Sequence, residues 1–340
     1  MRYLKEHIIG TMLLIMLLMA GAILTACSND EEQDGDESST LSMVSFTRAG
    51  EITVTDDHSP ASLFLVDGNG AITSGQFKYS VKNTEALWRS KVEVTNNTGY
   101  AVYGYAPADV ATVSLSGASL IGATMNFTNL PTVTSQDICF VVGVQQVTTP
   151  STEKNIERGN FSFTGKSEGN YVNVLMDHIY AAICFKVEID AEYAALRGIK
   201  LRGMTLQTTK ATATAAVSLL ANTTGDSPVQ SVSYSGLAGS SREAQFFDHD
   251  EGVALTADAA LQATCCFVPL ADVMNNLTLV TAYDVYDRYG NKISERTATN
   301  KLPNITVARG ERMTMTLTVA PTYLGVLSDK DVDNPTIKIN

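Results

Sequence analysis

The sequence predicts an all-β protein built from two tandem β-sandwiches. From Thr40 onward, short runs alternate apolar and polar residues and are rich in Val, Thr, Ile, Tyr and Phe, a pattern typical of half-buried strands. Glycine, Asn, Asp and Pro separate the runs. Residues 67–70, for example, read Asp-Gly-Asn-Gly, which tolerates positive φ and favours a tight turn. Only residues 191–197, closed by Gly198, read as a helical turn.

The first 26 residues read as an export signal. Arg2 and Lys5 give a positive start, and an apolar run covers residues 8–26. Leu-Thr-Ala directly precedes the first cysteine, the pattern of bacterial lipoproteins, so we expect cleavage there and lipidation of Cys27. The alternative is an uncleaved anchor, because nineteen residues (26 − 8 + 1) could just span a bilayer.

Residues 27–39 form a predicted acidic tether. Six Asp and Glu residues lie between Ser28 and Ser39, and so polar a run cannot bury itself. Acidic residues behind a lipidated cysteine also resemble the surface-export signal of Bacteroidota lipoproteins, which would place the protein outside the outer membrane. The alternative is a solvated spacer.

Two series of strand-like runs divide the mature chain. Removing the signal leaves 314 residues (340 − 26), more than one average domain. The chain turns polar and glycine-rich at residues 165–170. We therefore expect an N-terminal β-sandwich at residues 40–168, a C-terminal β-sandwich at residues 169–320 and a tail at residues 321–340.

Composition and motifs argue against several functions. The net charge is −12 and no Lys/Arg-rich block occurs, which argues against nucleic acid as a partner. None of the common hydrolase, zinc-protease or phosphate-loop motifs is present, so we predict no enzyme and no cofactor. One tryptophan and 7% aromatic residues give little support to a sugar-stacking surface.

The cysteines and the histidine at position 178 are predicted to be structural. Four cysteines remain after Cys27, each in an apolar, strand-like run, and free cysteine is among the most buried residue types. A disulfide among them is the alternative in an oxidising compartment. Adjacent Cys265 and Cys266 would point to opposite faces of a strand and could not clamp one metal. His178 lies among apolar residues.

One calcium-like spacing occurs near the end of the chain. Asp329, Asp331 and Asp333 match the opening of a calcium loop, but Asn334 replaces its glycine and Asn340 its final glutamate. We therefore predict no metal site and interpret the segment as an acidic turn, with weak calcium binding as the alternative.

Two segments carry a resemblance to a known family. Residues 177–187 read DHIYAAICFKV, and residues 309–319 read RGERMTMTLTV. With the lipoprotein start and the order of the chain, they resemble the fimbrillins, the type V pilins of Bacteroidota, over nearly the whole mature chain. The resemblance implies sandwiches of transthyretin-like or Greek-key topology. It also implies cutting by an outside protease between Arg48 and Ala49, in a short segment between two strand-like runs. The alternative is that Arg48 is an ordinary surface arginine.

The tail is a candidate donor strand. Pro321 ends the preceding strand because it has no backbone donor, yet apolar residues continue beyond it. They are Tyr323, Leu324, Val326, Leu327, Ile337 and Ile339. We predict that they fill, in the next subunit, the groove left when Leu41, Met43 and their neighbours depart. The alternative is that the tail folds back on its own C-terminal sandwich as an edge hairpin.

Taken together, these features predict a structural subunit of a bacterial surface fimbrium that assembles by protease-triggered donor-strand exchange and supports adhesion. The expected partners are other pilin subunits and, through the lipid, the outer membrane; a host or bacterial ligand is unspecified. The alternative is a surface glycan-binding lipoprotein that keeps its lipid anchor.

Overall fold

The computed structural model describes residues 39–49, 52, 58–151, 155–222, 229–321 and 335–339. Cys27, the signal, the tether and the three aspartates of the calcium-like segment lie outside these residues. The described residues all fall in one compact unit. None of the helices found in these ranges is long and apolar enough to cross a membrane.

Strands carry almost all of the regular structure, which confirms the predicted all-β class. The strands are β1 (Thr40–Arg48), β2 (Ala61–Asp67), β3 (Ile72–Lys82), β4 (Glu85–Glu93), β5 (Gly99–Ala106), β6 (Thr112–Ser119), β7 (Gly122–Pro131), β8 (Val133–Thr134), β9 (Cys139–Val147), β10 (Ser162–Thr164), β11 (Tyr171–His178), β12 (Ala181–Ile189), β13 (Gly198–Thr208), β14 (Thr212–Leu220), β15 (Val229–Ala238), β16 (Arg242–Ala254), β17 (Leu261–Phe267), β18 (Thr278–Tyr286), β19 (Lys292–Lys301), β20 (Arg312–Pro321) and β21 (Pro335–Ile339).

Two short helices interrupt the strands of the described chain. The first, α1 (Ala191–Ala194), begins where the side chain of Asp190 accepts a hydrogen bond from the Tyr193 backbone, and it confirms the predicted helical turn. The second, α2 (Ala271–Met274), has no side-chain cap and lacks the residues by which a helix start is recognised. It was not predicted.

The strands form four sheets. An eight-stranded sheet has the order β10-β5-β2-β3-β4-β1-β11-β9, and the end of β5 also pairs with the start of β9, so that the sheet closes on itself. The others have the orders β21-β20-β12-β17-β8, β16-β13-β18-β19 and β15-β14-β7-β6. Packing of Phe185 from β12 on Phe246 from β16, with ring centroids 5.4 Å apart, joins two of them.

The predicted boundary at residue 168 does not separate the sheets. Strand β11 follows it but lies between β1 and β9, and β7 pairs with β14 across it. The polar stretch that suggested the boundary is a turn closed by Asn170, whose side-chain amide bonds both the backbone nitrogen and the carbonyl of Lys166 at 2.9 Å. The division into two domains therefore stays a prediction, and residue 168 does not mark a gap in hydrogen bonding.

The tight turn predicted at residues 67–70 is confirmed, and a second turn of the same kind follows β18. Asp67 accepts hydrogen bonds from the backbone of Asn69 and Ala71, and Gly70 has a φ of 79°. Asp287 closes the β18–β19 hairpin in the same way. These aspartates replace backbone partners that a tight turn leaves unpaired.

The four cysteines of the described chain confirm the prediction of buried thiols on strands. All are buried and unbridged: Cys139, Cys184, Cys265 and Cys266. They begin β9 or lie within β12 and β17.

Candidate functional site

The first strand lies inside a sheet rather than at its edge. Strand β1 pairs antiparallel with β4, where Met43 is opposite Trp88, and parallel with β11, where Phe46 is opposite Val174. Both of its edges are therefore hydrogen-bonded. Removing β1 would leave β4 and β11 facing an open groove.

The residues of β1 are buried on both faces. Leu41 and Met43 are fully buried, Val44 is 7% exposed, and Ser45 donates a hydrogen bond of 2.6 Å to the buried Asn173. Burying three apolar side chains at about 1.5–3 kcal/mol each gives roughly 5–9 kcal/mol before ordering costs. Leu41 and Met43, whose departure is predicted to leave the groove, are therefore core residues.

Arg48 is the last residue of β1, and its environment differs from the expected accessible segment. Its side chain is only 9% exposed, and the Nη1 atom donates to the Asp137 carboxylate at 2.7 Å and to the Asp137 carbonyl at 2.8 Å. The guanidinium also lies over the Phe46 ring at 5.6 Å. Ala49 donates its backbone N–H to the carbonyl of Met176. The sequence gives no sign of this burial, because the partner lies 89 residues away.

Asp137 gathers Arg48, Cys139 and His178 into one buried cluster. The Oδ2 atom of Asp137 lies 2.6 Å from His178 Nδ1 and accepts from the Cys139 thiol at 3.1 Å. The thiol sulfur is 3.3 Å from both His178 Nδ1 and Arg48 Nη1. Because the carboxylate only accepts, the proton of the imidazole is assigned to Nδ1. We call these four residues the strand clasp, since they fix the end of β1 to β9 and β11.

The strand clasp is shielded from solvent. Asp137 is 1% exposed and His178 fully buried. Burial raises the pKa of the Cys139 thiol well above its ordinary value; the Asp137 carboxylate adds to the shift and Arg48 opposes it. A neutral thiol is a poor nucleophile, so this group of side chains does not resemble a hydrolytic site.

The sequence identifies three members of the clasp separately and gives no role to Asp137. The usable signal is local, because Asp137 lies two residues before Cys139 and accepts a hydrogen bond from its thiol. Their pairing with His178 on another strand could not be read from spacing.

Only the end of the tail falls within the described residues. Ile337 pairs with Val319, and Ile339 with Leu317, so that β21 forms an edge strand antiparallel to β20. This is the fold-back arrangement of the alternative interpretation, in a single chain. Tyr323, Leu324, Val326 and Leu327 lie outside the described residues.

A polar cleft of about 310 Å³ lies on the sheet of β13, β16, β18 and β19. Asp248, His249 and Asp250 line one side of it, where β16 bulges away from β13 between Asp248 and Val253. Opposite them lies Asp284, whose side chain is 5% exposed. Ionic and hydrogen-bonding groups dominate this cleft, and Tyr283 is the tyrosine in its lining.

Several solved structures are similar to this chain at low sequence identity. The chain is similar in structure to proteins described as cell adhesion and fimbrial proteins. A candidate cell adhesion protein from Bacteroides fragilis shares 12% identity, with a TM-score of 0.45, over 88% of this chain and 97% of that one. A fimbrial protein from Bacteroides vulgatus shares 15%, with a TM-score of 0.35, over 88% and 98%.

The fimbrial anchor protein Mfa2 from Porphyromonas gingivalis is also similar, with 10% identity and a TM-score of 0.28 over 88% of this chain and 98% of that one. No protein-family model matches the chain, and no curated protein matches it.

Proposed function

We propose that the chain is a structural subunit of a bacterial surface fimbrium that assembles by strand exchange. The observation that carries this proposal is the place of β1, which precedes every other described strand and yet lies between β4 and β11. A first strand can leave without threading the rest of the chain through the sheet. Its loss would then create a long groove in an otherwise intact fold.

Such a groove is a strong acceptor for another strand. The facing edges of β4 and β11 would present unpaired N–H and C=O groups, which template the addition of a strand. The vacated positions of Leu41, Met43 and Val44 would expose apolar surface. An incoming strand with alternating aliphatic residues restores both kinds of interaction.

The tail supplies a suitable donor in sequence and position. Ile337 and Ile339 alternate as Leu41 and Met43 do, and β21 is held at an edge by pairing with β20 alone. An edge strand can detach without opening the core of its own subunit. Transfer of β21 to a neighbouring subunit would replace its single partner, β20, by two partners, β4 and β11 of that subunit.

Arg48 links strand release to proteolysis in this scheme. A cut between Arg48 and Ala49 separates β1 and the predicted lipid from the rest of the chain. Because the Arg48 side chain is held by Asp137, the protease has to act on an end of β1 that has opened locally. The strand clasp therefore limits cutting to molecules in which this end of β1 has opened.

Changing Arg48 to glutamine should block maturation. The amide keeps a hydrogen-bond donor near Asp137 but removes the cationic side chain that a trypsin-like protease requires. We expect the surface protein to keep the mass of the uncut lipoprotein and to form no fibres, measured by mass spectrometry and electron microscopy. The matched control is Arg158→Gln, since the Arg158 side chain is 44% exposed and lies outside β1. Normal mass and fibres in Arg48→Gln would refute the role of this cut.

Changing Cys27 to serine should stop lipid-dependent export. Without a thiol the precursor cannot take a diacylglyceryl group, and we expect unprocessed protein at the inner membrane with no palmitate label. Cys184→Ser is the control, because that buried thiol lies in β12. Palmitate labelling and surface display of the Cys27→Ser protein would contradict the predicted lipidation site.

A glycan-binding lipoprotein remains the second candidate, and the polar cleft lined by Asp248, His249 and Asp284 is the place for its ligand. The two functions differ in the fate of the lipid. A chain that retains the lipid at the surface of wild-type cells and never enters fibres would favour the glycan binder.

A further inference from the structure

The strand clasp brings three kinds of metal-ligating atom together around a cation. A carboxylate oxygen of Asp137, the sulfur of Cys139 and Nδ1 of His178 lie within 4.8 Å of one another. The Arg48 Nη1 atom is 2.7 Å from the oxygen and 3.3 Å from the sulfur. The guanidinium therefore holds the positive charge of this site in the intact chain.

We propose that Asp137, Cys139 and His178 form a binding site for a divalent transition metal such as Zn²⁺, which Arg48 blocks until β1 departs. The departure of β1 rests on the proposed function, but the ligand set does not. Oxygen, sulfur and imidazole nitrogen together suit zinc, whose sites commonly use three protein ligands and leave a fourth position open.

The three ligands remain together when β1 leaves, because none of them belongs to it. Cys139 begins β9, His178 ends β11, and the two residues are direct partners in the antiparallel pairing of these strands. Asp137 lies two residues before Cys139. The removal of β1 takes only Arg48 out of the strand clasp. The site then opens on the side where the Arg48 guanidinium lay.

The distances require small side-chain shifts. Bonds of about 2.0–2.3 Å to a tetrahedral metal place ligand atoms about 3.3–3.8 Å apart. The sulfur lies 3.3 Å from His178 Nδ1 and 3.1 Å from Asp137 Oδ2. Asp137 Oδ2 and His178 Nδ1 lie at a hydrogen-bond distance of 2.6 Å, so these two atoms have to move apart by about 1 Å to bind one metal.

Charge is balanced in both states of the site. In the intact chain, the Arg48 guanidinium lies 2.7 Å from the Asp137 carboxylate and offsets its charge. A divalent metal would instead offset one carboxylate and one thiolate. Binding releases the thiol proton to solvent, and the imidazole would carry its proton on Nε2 instead of Nδ1. Neither state buries an uncompensated charge, which would be strongly unfavourable.

Two buried atoms of the ligand residues are left without hydrogen bonds. Asp137 Oδ1 and His178 Nε2 both lack a partner among the described residues. Buried polar groups without partners are uncommon in folded proteins. The free Oδ1 atom of Asp137 can therefore bind a metal without breaking a hydrogen bond of its own.

Cobalt(II) titration of the full chain tests the site without any proteolysis. In Arg48→Ala, we expect one equivalent of Co²⁺ to bind with a thiolate-to-cobalt absorption band. The affinity should be at least roughly 100-fold above that of the unaltered chain, because there the metal has to displace a buried ion pair. Zn²⁺ should abolish the band by competition.

Two further variants identify the ligand. Cys139→Ser in the Arg48→Ala background should lose the band, whereas Cys184→Ser should keep it, since the Cys184 sulfur lies near Gln262 outside the clasp. If Arg48→Ala does not fold, as judged by circular dichroism, Arg48→Gln takes its place. A folded variant without a Cys139-dependent band overturns the proposal.

The result is independent of fibre assembly. Cobalt binding by Arg48→Ala together with uncut wild-type protein on cells would leave the metal site standing and remove the proposed function. Normal cleavage and fibres in wild-type cells, together with no cobalt band in Arg48→Ala, would support the proposed function and refute the metal site.

Discussion

Replacing Asp137 by alanine should destabilise the folded chain by about 3–5 kcal/mol, the usual effect of removing one partner of a buried ion pair. The change leaves the Arg48 guanidinium without the carboxylate that lies 2.7 Å away, and it removes the acceptor of His178 and Cys139. Urea unfolding followed by circular dichroism measures the difference.

The control for this prediction is Asp272→Ala, because Asp272 is exposed at the start of α2. That change should stay within about 0.5 kcal/mol of the unaltered chain. A double variant, Arg48→Leu with Asp137→Leu, should recover part of the lost stability, since it removes both charges at once. A loss of less than about 1 kcal/mol in Asp137→Ala would mean that the clasp does not hold β1.

Strand β1 is attached to the rest of the chain in two ways. Apolar burial of Leu41 and Met43 holds the middle of the strand, and the ion pair of Arg48 with Asp137 holds its end. Only the ion pair depends on a single side chain at the predicted cut, that of Arg48. Weakening the clasp should therefore loosen the end of β1 before its apolar part, and this would expose the Arg48–Ala49 bond to a protease.

Local signals explain why the all-β class could be predicted. Alternation of apolar and polar residues fixes which side chains face the core of a strand. Turn chemistry at Asp67 and Asp287 acts within five residues, so it is visible in the sequence. The buried thiols likewise follow from the apolar runs that contain them.

Pairing between distant strands explains what could not be predicted. Strand β1 lies beside β11, and Ser42 is opposite Tyr171 in this parallel pairing, which no local pattern encodes. The same distance hides the partner of Arg48, so a residue expected in an accessible segment is mostly buried. Residue 168 suggested a boundary because polar and glycine-rich residues mark turns as well as linkers.

The tail has two partners of similar chemistry, which is why its sequence fits two interpretations. Alternating Ile337 and Ile339 can pair with any exposed strand edge that offers apolar neighbours. In a single chain the nearest such edge belongs to β20. After loss of β1 from a neighbouring subunit, the groove between β4 and β11 offers two edges instead of one. The proposed exchange follows from this difference.

Deleting residues 323–340 should leave a folded, Arg48-cleaved monomer that cannot extend a fibre. The folded state should lose only about 1.5–3 kcal/mol, because β21 pairs with β20 alone and Ile337 is its one isoleucine buried to 7% exposure. Assembly should lose its donor strand altogether. Size-exclusion chromatography and electron microscopy of the cleaved protein measure the change.

Substitutions that keep the chain length separate the donor role from simple shortening. Ile337→Asp with Ile339→Asp should abolish fibres as the deletion does, because charged side chains cannot fill the groove left by Leu41 and Met43. Lys338→Ser, which changes the residue between the two isoleucines, should assemble normally. Fibres from the deleted chain would exclude the tail as donor. Unfolding of the deleted chain at ordinary temperature would instead assign β21 to the stability of its own subunit, as the fold-back interpretation requires.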